Sequence, residues 1–193
     1  MSHSADLDRK VLAAVERLGR ALRAARQDVA TRHEVSLLGL SVIETLADGR
    51  PRRVGDLAAE LDVSQPTVSD AVTVLDKRGL IRRDRDPADL RSTLVALTDD
   101  GDHLAADTAT ELAPLLAAGS GTDADRATTL RVLLGEIARL QAAGVITVNR
   151  SCLSCRHYQP PGPRTRARCL LLATALADRD LRVDCPEHEP IPA

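Results

Sequence analysis

Four cysteines stand out because all of them fall in the last 42 residues of the 193-residue chain. Cys152 and Cys155 form a CxxC pair, a spacing that lets two sulfurs bind one metal ion. Thirteen residues separate Cys155 from Cys169, and fifteen separate Cys169 from Cys185. His188 follows Cys185 in a CxxH spacing and is a further candidate ligand. In a reducing compartment, such clustering is typical of metal binding or redox chemistry rather than of structural disulfides.

A zinc ion is the first interpretation of this cluster, with Cys152, Cys155, Cys185 and either Cys169 or His188 as a tetrahedral ligand set. A segment this short does not build a core of its own, and a bound metal supplies folding energy. An iron–sulfur cluster on the four cysteines is the second interpretation, since a CxxC pair, two distant cysteines and a Cys-Pro step are typical of such sites. Thiols that only pack or form redox disulfides are the third.

Basic and apolar residues accompany the cysteines. Arginines between 150 and 168 predict a lowered thiol pKa, because positive charge favours the thiolate. Leucines in the same segment are expected to dock it on the helical body of the protein; these are Leu170, Leu171, Leu172, Leu176 and Leu181.

The rest of the chain predicts a mainly α fold with one small β-hairpin. Apolar residues at helical spacing predict helices over 5–27, 33–47 and 123–144, and another over 98–118 that Pro114 should bend or interrupt. Two short helices are expected within 54–79, and β-prone runs at 80–85 and 92–97 flank a turn-rich loop. Near Val145 the helical pattern ends and a segment with prolines and cysteines begins, which places a domain boundary at about residue 144.

Residues 56–75 have the pattern of a helix-turn-helix. Leu57, Leu61 and Val63 supply apolar contacts between the two helices, and Ser64 is a good N-cap for the second. The second helix turns Val68, Ala71, Val72 and Leu75 inward and leaves short polar residues outward, where they can approach base edges in the major groove. The candidate DNA contacts in this segment are Ser64, Gln65, Pro66, Thr67, Ser69, Asp70, Thr73 and Lys77.

Charge supports a DNA contact only locally. The chain carries a formal charge of −2, and nine basic residues stand against eight acidic ones from Arg50 to Leu97, a sum of +1. The arginines concentrate on the predicted strands and wing, where phosphates would lie, and Arg83 and Arg85 are candidate contacts. Tyr158 is the only aromatic residue, which argues against binding single-stranded nucleic acid by stacking.

The segment from Val54 to Leu104 resembles the MarR family of winged-helix transcription regulators. The resemblance rests on the recognition-helix pattern SxxTVSxxVxxL, on GLIxR at the start of a strand, on the DPxDxRS wing and on LTxxG, and the flanking helices extend it over about residues 5–143. It implies a homodimer formed by the first and last two helices, wings that reach the minor groove, and repression relieved by a signal. It also implies that Arg91 is the wing arginine and that Asp89 holds it.

The predicted architecture is therefore a winged helix-turn-helix domain with dimerisation helices over residues 1–144, with the helix-turn-helix at about 54–79 and the wing at about 80–97. A small metal-binding segment follows over 145–193. The protein is expected to be a homodimeric transcriptional regulator that binds double-stranded DNA sequence-specifically. By the resemblance it acts as a repressor and responds to a small-molecule or redox effector. It is expected in the cytoplasm, away from membranes, and is not expected to be an enzyme. A winged-helix adaptor that binds only protein, or a thiol redox protein using the CxxC pair, are the alternatives.

Overall fold

Helices account for most of the chain in a computed structural model, and small antiparallel sheets complete it. The structure describes residues 3–87, 89–117 and 121–191, and all of their side chains except those at 3, 4, 90, 91 and 115–117. The helices are α1 (His3–Arg32), α2 (Leu37–Leu46), α3 (Val54–Glu60), α4 (Gln65–Lys77), α5 (Asp99–Ala117) and α6 (Asp123–Ala142). The strands are β1 (Arg52–Arg53), β2 (Ile81–Asp86), β3 (Asp89–Leu97), β4 (Tyr158–Gln159), β5 (Ala167–Cys169) and β6 (Thr174–Leu176).

The chain divides into two compact units, residues 1–117 and 118–193. The core of the first unit collects the inward faces of α2, α3 and α4, together with the end of α1 and the sheet. Leu40, Ile43, Leu57, Val72 and Val95 are among its fully buried side chains. Burial of each such side chain contributes about 1.5–3 kcal/mol, so this apolar cluster fixes the position of α4.

The turn between α3 and α4 has a local cause in the sequence. Asp62 adopts a left-handed backbone with φ of 52°, which a short polar side chain tolerates better than most. Ser64 is the N-cap of α4 and accepts a hydrogen bond from the backbone N–H of Thr67 at 3.4 Å. Pro66 sits in the first turn, where its missing N–H costs nothing. The chain leaves α4 at Gly79, whose φ of 71° suits glycine.

The wing is an antiparallel sheet with strand order β1-β3-β2. Arg83 pairs with Val95 and Arg85 with Thr93, and the register shifts between Arg85 and Asp86 near the hairpin turn. The two residues of β1 pair with Leu94 and Val95 on the other side of β3. The prediction of a mainly helical chain with a small antiparallel sheet is confirmed, although β1 was missed because two residues give no alternating pattern.

The second unit contains α6, the β4-β5-β6 sheet and two 3₁₀ turns at Cys152–Ser154 and Asp178–Asp180. Thr122 caps α6 through a reciprocal capping box with Asp125. Arg131 on α6 forms an ion pair with Asp178, with 3.0 Å between Nε and Oδ2. The predicted boundary at about residue 144 follows the end of α6, whereas the contacts group α6 with the cysteine-rich segment.

Two other expectations differ from the structure. Pro114 lies inside α5, which continues as one helix to Ala117 rather than being interrupted. Leu170, Leu171 and Leu172 are half exposed instead of docked on a helical body. Leu181 is buried, as the prediction required, within the second unit.

Candidate functional site

Helix α4 has one buried face and one exposed face. Val68, Val72 and Leu75 are fully buried, and Ala71 is half-buried beside them. The opposite face presents polar side chains to solvent: Gln65, Pro66, Thr67, Asp70 and Lys77 are exposed. The face of α4 that the sequence predicts to be outward is therefore exposed, and only the opposite face packs on the core.

Three of the predicted contact residues are tied to their own helix. The Oγ atom of Ser64 lies 2.6 Å from Oγ1 of Thr67, in addition to its role as the helix cap. Thr73 donates from Oγ1 to the backbone carbonyl of Ser69 at 2.8 Å, and both residues are half-buried. These hydroxyls already have protein partners, so Gln65, Asp70 and Lys77 are the side chains most available to an external partner.

Two valines occupy positions that the sequence pattern did not predict. Val63, expected to pack between the helices, is 36 % exposed in the turn. Val74 is 56 % exposed on α4, beside the polar residues of the outward face. A helical wheel places residue 74 next to 70 and 77, so the spacing alone contained this signal.

The arginines of the wing divide into held and available side chains. Arg83 bonds to α4, with 2.9 Å from Nη2 to Oγ1 of Thr73 and 3.1 Å from Nε to Oδ2 of Asp76. Arg82 donates to the carbonyl of Leu97 and pairs with Asp84. Arg85 is exposed and, within the described part of the chain, makes no ion pair or side-chain hydrogen bond.

The arginines of β1 serve the fold. Arg52 is buried and pairs with Glu60 and with Asp48, whose Oδ2 lies 2.6 Å from Nη2. Arg53 donates through Nε and Nη2 to the buried carboxylate of Asp86, and this hydrogen bond raises the pKa of Arg53. The sequence expectation that arginines in this region face phosphates therefore does not extend to these two residues.

The tip of the wing carries the residues that the resemblance assigned to the minor groove. Asp89 accepts a hydrogen bond from Oγ of Ser92 at 2.7 Å. The side chain of Arg91 lies outside the described residues, and so does Ala88 of the loop. The proposed pairing of Asp89 with Arg91 stays a prediction.

The second unit brings all four cysteines to one cavity. Cys152 and Cys155 come from the 3₁₀ turn and its end, Cys169 from the end of β5, and Cys185 from the last segment. The partly open cavity holds about 350 Å³ of empty space, solvent at its mouth included. Leu171, Leu172, Leu176 and Tyr158 also line it.

Backbone pairing explains how the cysteines meet. The N–H of Cys152 donates to the carbonyl of Arg182, and the N–H of Cys185 donates to the carbonyl of Arg150, both at 3.0 Å. Cys155 forms a β-bridge with Pro190, and Cys169 pairs with Tyr158 across the sheet. Each cysteine is thus fixed by main-chain hydrogen bonds of residues distant in sequence.

The histidines and arginines near the cavity have other partners. His188 lies with Nε2 3.0 Å from Oγ of Ser154, and His157 pairs with Glu189, which lowers the pKa of that carboxyl. Arg150 pairs with Asp184, and Arg156 with Glu189. For Cys152 the expected lowering of the thiol pKa is wrong, because burial raises the pKa of this thiol.

Arg182 is the basic residue that reaches the sulfurs, and the sequence pattern missed it. Its backbone N–H donates to Sγ of Cys152 at 3.2 Å, and its Nη1 lies 3.7 Å from Sγ of Cys185. Among the described residues, no three cysteine, histidine or carboxylate side chains lie close enough together to hold a single metal ion.

The geometry of α3, α4 and the wing defines a winged helix-turn-helix. A sequence model of the MarR family matches residues 35–92, which run from before α2 into β3 and stop short of the cysteines. No curated protein is significantly similar to the chain. In the part of the chain that the structure describes, no helix is both long and apolar enough to cross a membrane.

Several solved structures are similar to this chain beyond the residues that the sequence model matches. The crystal structure of a MarR family transcription regulator has a TM-score of 0.62 at 23% identity and covers 73% of this chain and 94% of its own. BldR from Sulfolobus solfataricus has a TM-score of 0.57 at 21% identity, over 70% of this chain and 99% of its own. CouR from Rhodococcus jostii RHA1, bound to p-coumaroyl-CoA, has a TM-score of 0.55 at 23% identity, over 65% and 89%. These similarities show that the chain has the fold of such regulators.

Proposed function

We propose that the protein is a sequence-specific regulator of transcription that binds double-stranded DNA through α4 and the β2–β3 wing. The observation that carries this proposal is the exposed polar face of α4, set on a fully buried apolar face beside a wing that carries Arg85. A major groove admits an α-helix whose short polar side chains reach the base edges. The match of residues 35–92 to the MarR family supports the same function.

Each exposed residue of this surface has a role that its chemistry suits. Gln65 can hydrogen-bond an adenine through its amide, Asp70 can accept from a cytosine amino group, and Val74 can contact a thymine methyl. Lys77 and Arg85 carry exposed positive charges suited to phosphates. Arg91 would reach the minor groove from the wing, as the resemblance implies.

The protein acts as a homodimer in this proposal. Helix α1 projects an apolar stripe of Leu7, Val11, Val15 and Leu18, each about half exposed or more, and Leu12 is 61 % exposed beside it. On α6, Val132 and Leu133 are also exposed. Exposed apolar rows of this kind mark association surfaces, and a second copy of the chain supplies the same row. A two-fold dimer reads two half-sites about one helical turn apart.

The cysteine cavity is proposed to hold a metal centre, zinc or iron–sulfur, that stabilises the second unit or senses metal or redox state. Repression relieved by a signal is the proposed mode of action. Two solved structures similar to this chain are complexes with small molecules, CouR with p-coumaroyl-CoA and NadR with 4-hydroxyphenylacetate. A small-molecule effector is therefore proposed as the alternative to a redox signal.

Selection of DNA by the purified full chain tests the function. A pool of random double-stranded DNA is exposed to the protein, and the bound fraction is amplified and sequenced. We expect enrichment of a two-fold symmetric site. No enrichment over the input pool would contradict DNA recognition and favour an adaptor that binds protein, while turnover of a thiol–disulfide substrate would favour redox chemistry at the CxxC pair.

A further inference from the structure

The cavity of the second unit has a donor set of four thiols. Cys152, Cys155, Cys169 and Cys185 all line it, although they come from segments up to 33 residues apart in sequence. Cys169 is the informative member, because a zinc site with His188 as its fourth ligand would leave this cysteine unused. Its position at the end of β5, paired with Tyr158, sets it at the cavity.

The side chain of His188 does not take the position of a fourth ligand at the cavity. Its Nε2 lies 3.0 Å from Oγ of Ser154, and His188 is not among the residues that line the cavity. The backbone N–H of His188 donates to the carbonyl of Cys185, which closes a tight turn after Cys185-Pro186. The CxxH spacing therefore reflects a turn that positions Cys185 rather than a second metal-binding pair.

The spacing of the sulfurs bears on the size of the group they surround. Zinc holds sulfur at about 2.3 Å, so four tetrahedral sulfurs on one ion stand about 3.8 Å apart. An iron–sulfur cluster is several ångströms across, and each of its cysteines binds a different iron of a four-iron cluster. Four thiols around one common space supply one ligand for each iron of such a cluster.

Beside the four thiols, the lining of the cavity is mainly apolar, and it includes the carboxylate of Glu187, which pairs with Arg182 and lies 3.5 Å from the sulfur of Cys185. Leu171, Leu172, Leu176 and Tyr158 form the apolar part of its wall. Hydrogen bonds to cysteine sulfur stabilise the charge of a cluster and tune its potential. The backbone N–H of Arg182 supplies one such bond to Cys152, and its guanidinium lies 3.7 Å from the sulfur of Cys185.

We infer that the four cysteines bind a four-iron, four-sulfide cluster. The inference rests on the proposed cysteine-ligated centre and deepens it by naming its chemical class. On assembly, each of the four thiols loses a proton and forms one bond to iron, so four protons leave for each cluster bound. The cluster is supplied preformed, or from two ferrous ions, two ferric ions and four sulfides, which together give the 2+ state of the cluster without a further oxidant.

The test measures metal and sulfide in the full chain purified without oxygen or chelator. We expect about four irons and four acid-labile sulfides per chain, with little zinc, and a brown colour that fades on reduction. One zinc per chain without iron would overturn the cluster while keeping the cysteine centre. Protein without metal, even after anaerobic incubation with sulfide and equal amounts of ferrous and ferric iron, would overturn both.

Two variants make the test specific to the ligands. Cys169→Ala should lose most of the iron, whereas His188→Ala should keep it, with far-ultraviolet circular dichroism reporting the fold of each. Iron retained in full by Cys169→Ala, or lost only in His188→Ala, would overturn the four-cysteine assignment. Because these measurements contain no DNA, their failure is distinguishable from failure of the proposed DNA binding.

Discussion

Arg83 on the wing donates a hydrogen bond from Nη2 to Oγ1 of Thr73 on α4, with 2.9 Å between the two atoms. The same guanidinium lies 3.1 Å from Oδ2 of Asp76, one turn further along the helix. Two residues that the sequence predicts as separate DNA contacts are thus bonded to each other. Arg83 links the wing strand to α4, whereas Arg85, two residues further on the same strand, is exposed and makes no ion pair or side-chain hydrogen bond among the described residues.

This difference predicts different behaviour for two similar substitutions. Arg85→Ala should weaken binding to every DNA sequence and reduce the salt dependence by about one phosphate contact, because a mobile charge is lost. Its thermal midpoint should stay unchanged. Arg83→Ala should also lower the midpoint slightly, since exposed ion pairs contribute about 1 kcal/mol or less. Fluorescence anisotropy over a salt series, with differential scanning fluorimetry, measures both.

Arg164→Ala is the matched control, because Arg164 is an exposed arginine of the cysteine-rich segment. It should leave the affinity and the salt slope unchanged. Equal effects of Arg85→Ala and Arg164→Ala would show that Arg85 contributes only to the general charge of the protein.

Base preference depends on Gln65 in this account. Gln65→Ala should relax the preference at one position of each half-site, with a loss of about 1–3 kcal/mol against the best base and little change against the others. The measurement is binding to a panel of sites that vary at each position. A uniform loss across the panel would assign Gln65 to the phosphate backbone instead.

A side chain at position 101 should destabilise the protein. A Cβ atom added there would lie 2.0 Å from the backbone carbonyl oxygen of Leu80, which cannot move without disturbing the start of the wing. Gly101→Ala should therefore lower the free energy of unfolding by about 1–3 kcal/mol. Gly135→Ala is the control: it lies within α6, a Cβ there meets nothing within 4 Å, and it should stabilise by up to about 1 kcal/mol. Chemical denaturation compares the two variants.

Dimerisation is tested on α1. Val11 is 55 % exposed on the apolar stripe, and a carboxylate in its place should weaken association at an apolar interface. We expect the parent to sediment at about twice the chain mass at micromolar concentration and Val11→Glu to shift towards monomer. Ala13→Glu places the same charge on the opposite face of α1 and should remain dimeric. A monomeric parent at that concentration would contradict the dimer.

The winged helix was predictable because its signals are local. Ser64, Pro66 and Gly79 mark the ends of α4, and Val68, Val72 and Leu75 repeat at helical spacing, so the residues themselves set its limits and its buried face. The partners of the charged residues were not predictable in this way. Burial of Arg52 depends on Asp48 and Glu60 meeting it after folding.

At the cysteine site, too, local spacing was predictable and long-range contacts were not. The CxxC spacing marks Cys152 and Cys155 as partners, since they are neighbours in the chain. Cys185 lies at the cavity because segment 182–185 pairs with segment 150–152. Cys169 lies there because of the register between β4 and β5. Long-range pairing of this kind leaves no periodic pattern in the sequence, so the sequence left Cys169 and His188 open as alternative ligands.

The central claim is that the chain recognises a particular DNA sequence through α4. The most direct measurement is the ratio of two affinities at one fixed salt concentration, for the site enriched from random DNA and for the same bases in shuffled order. The account predicts an affinity at least about 10³-fold higher for the enriched site, and a smaller ratio in Gln65→Ala. A ratio near one in the parent protein would contradict sequence-specific recognition.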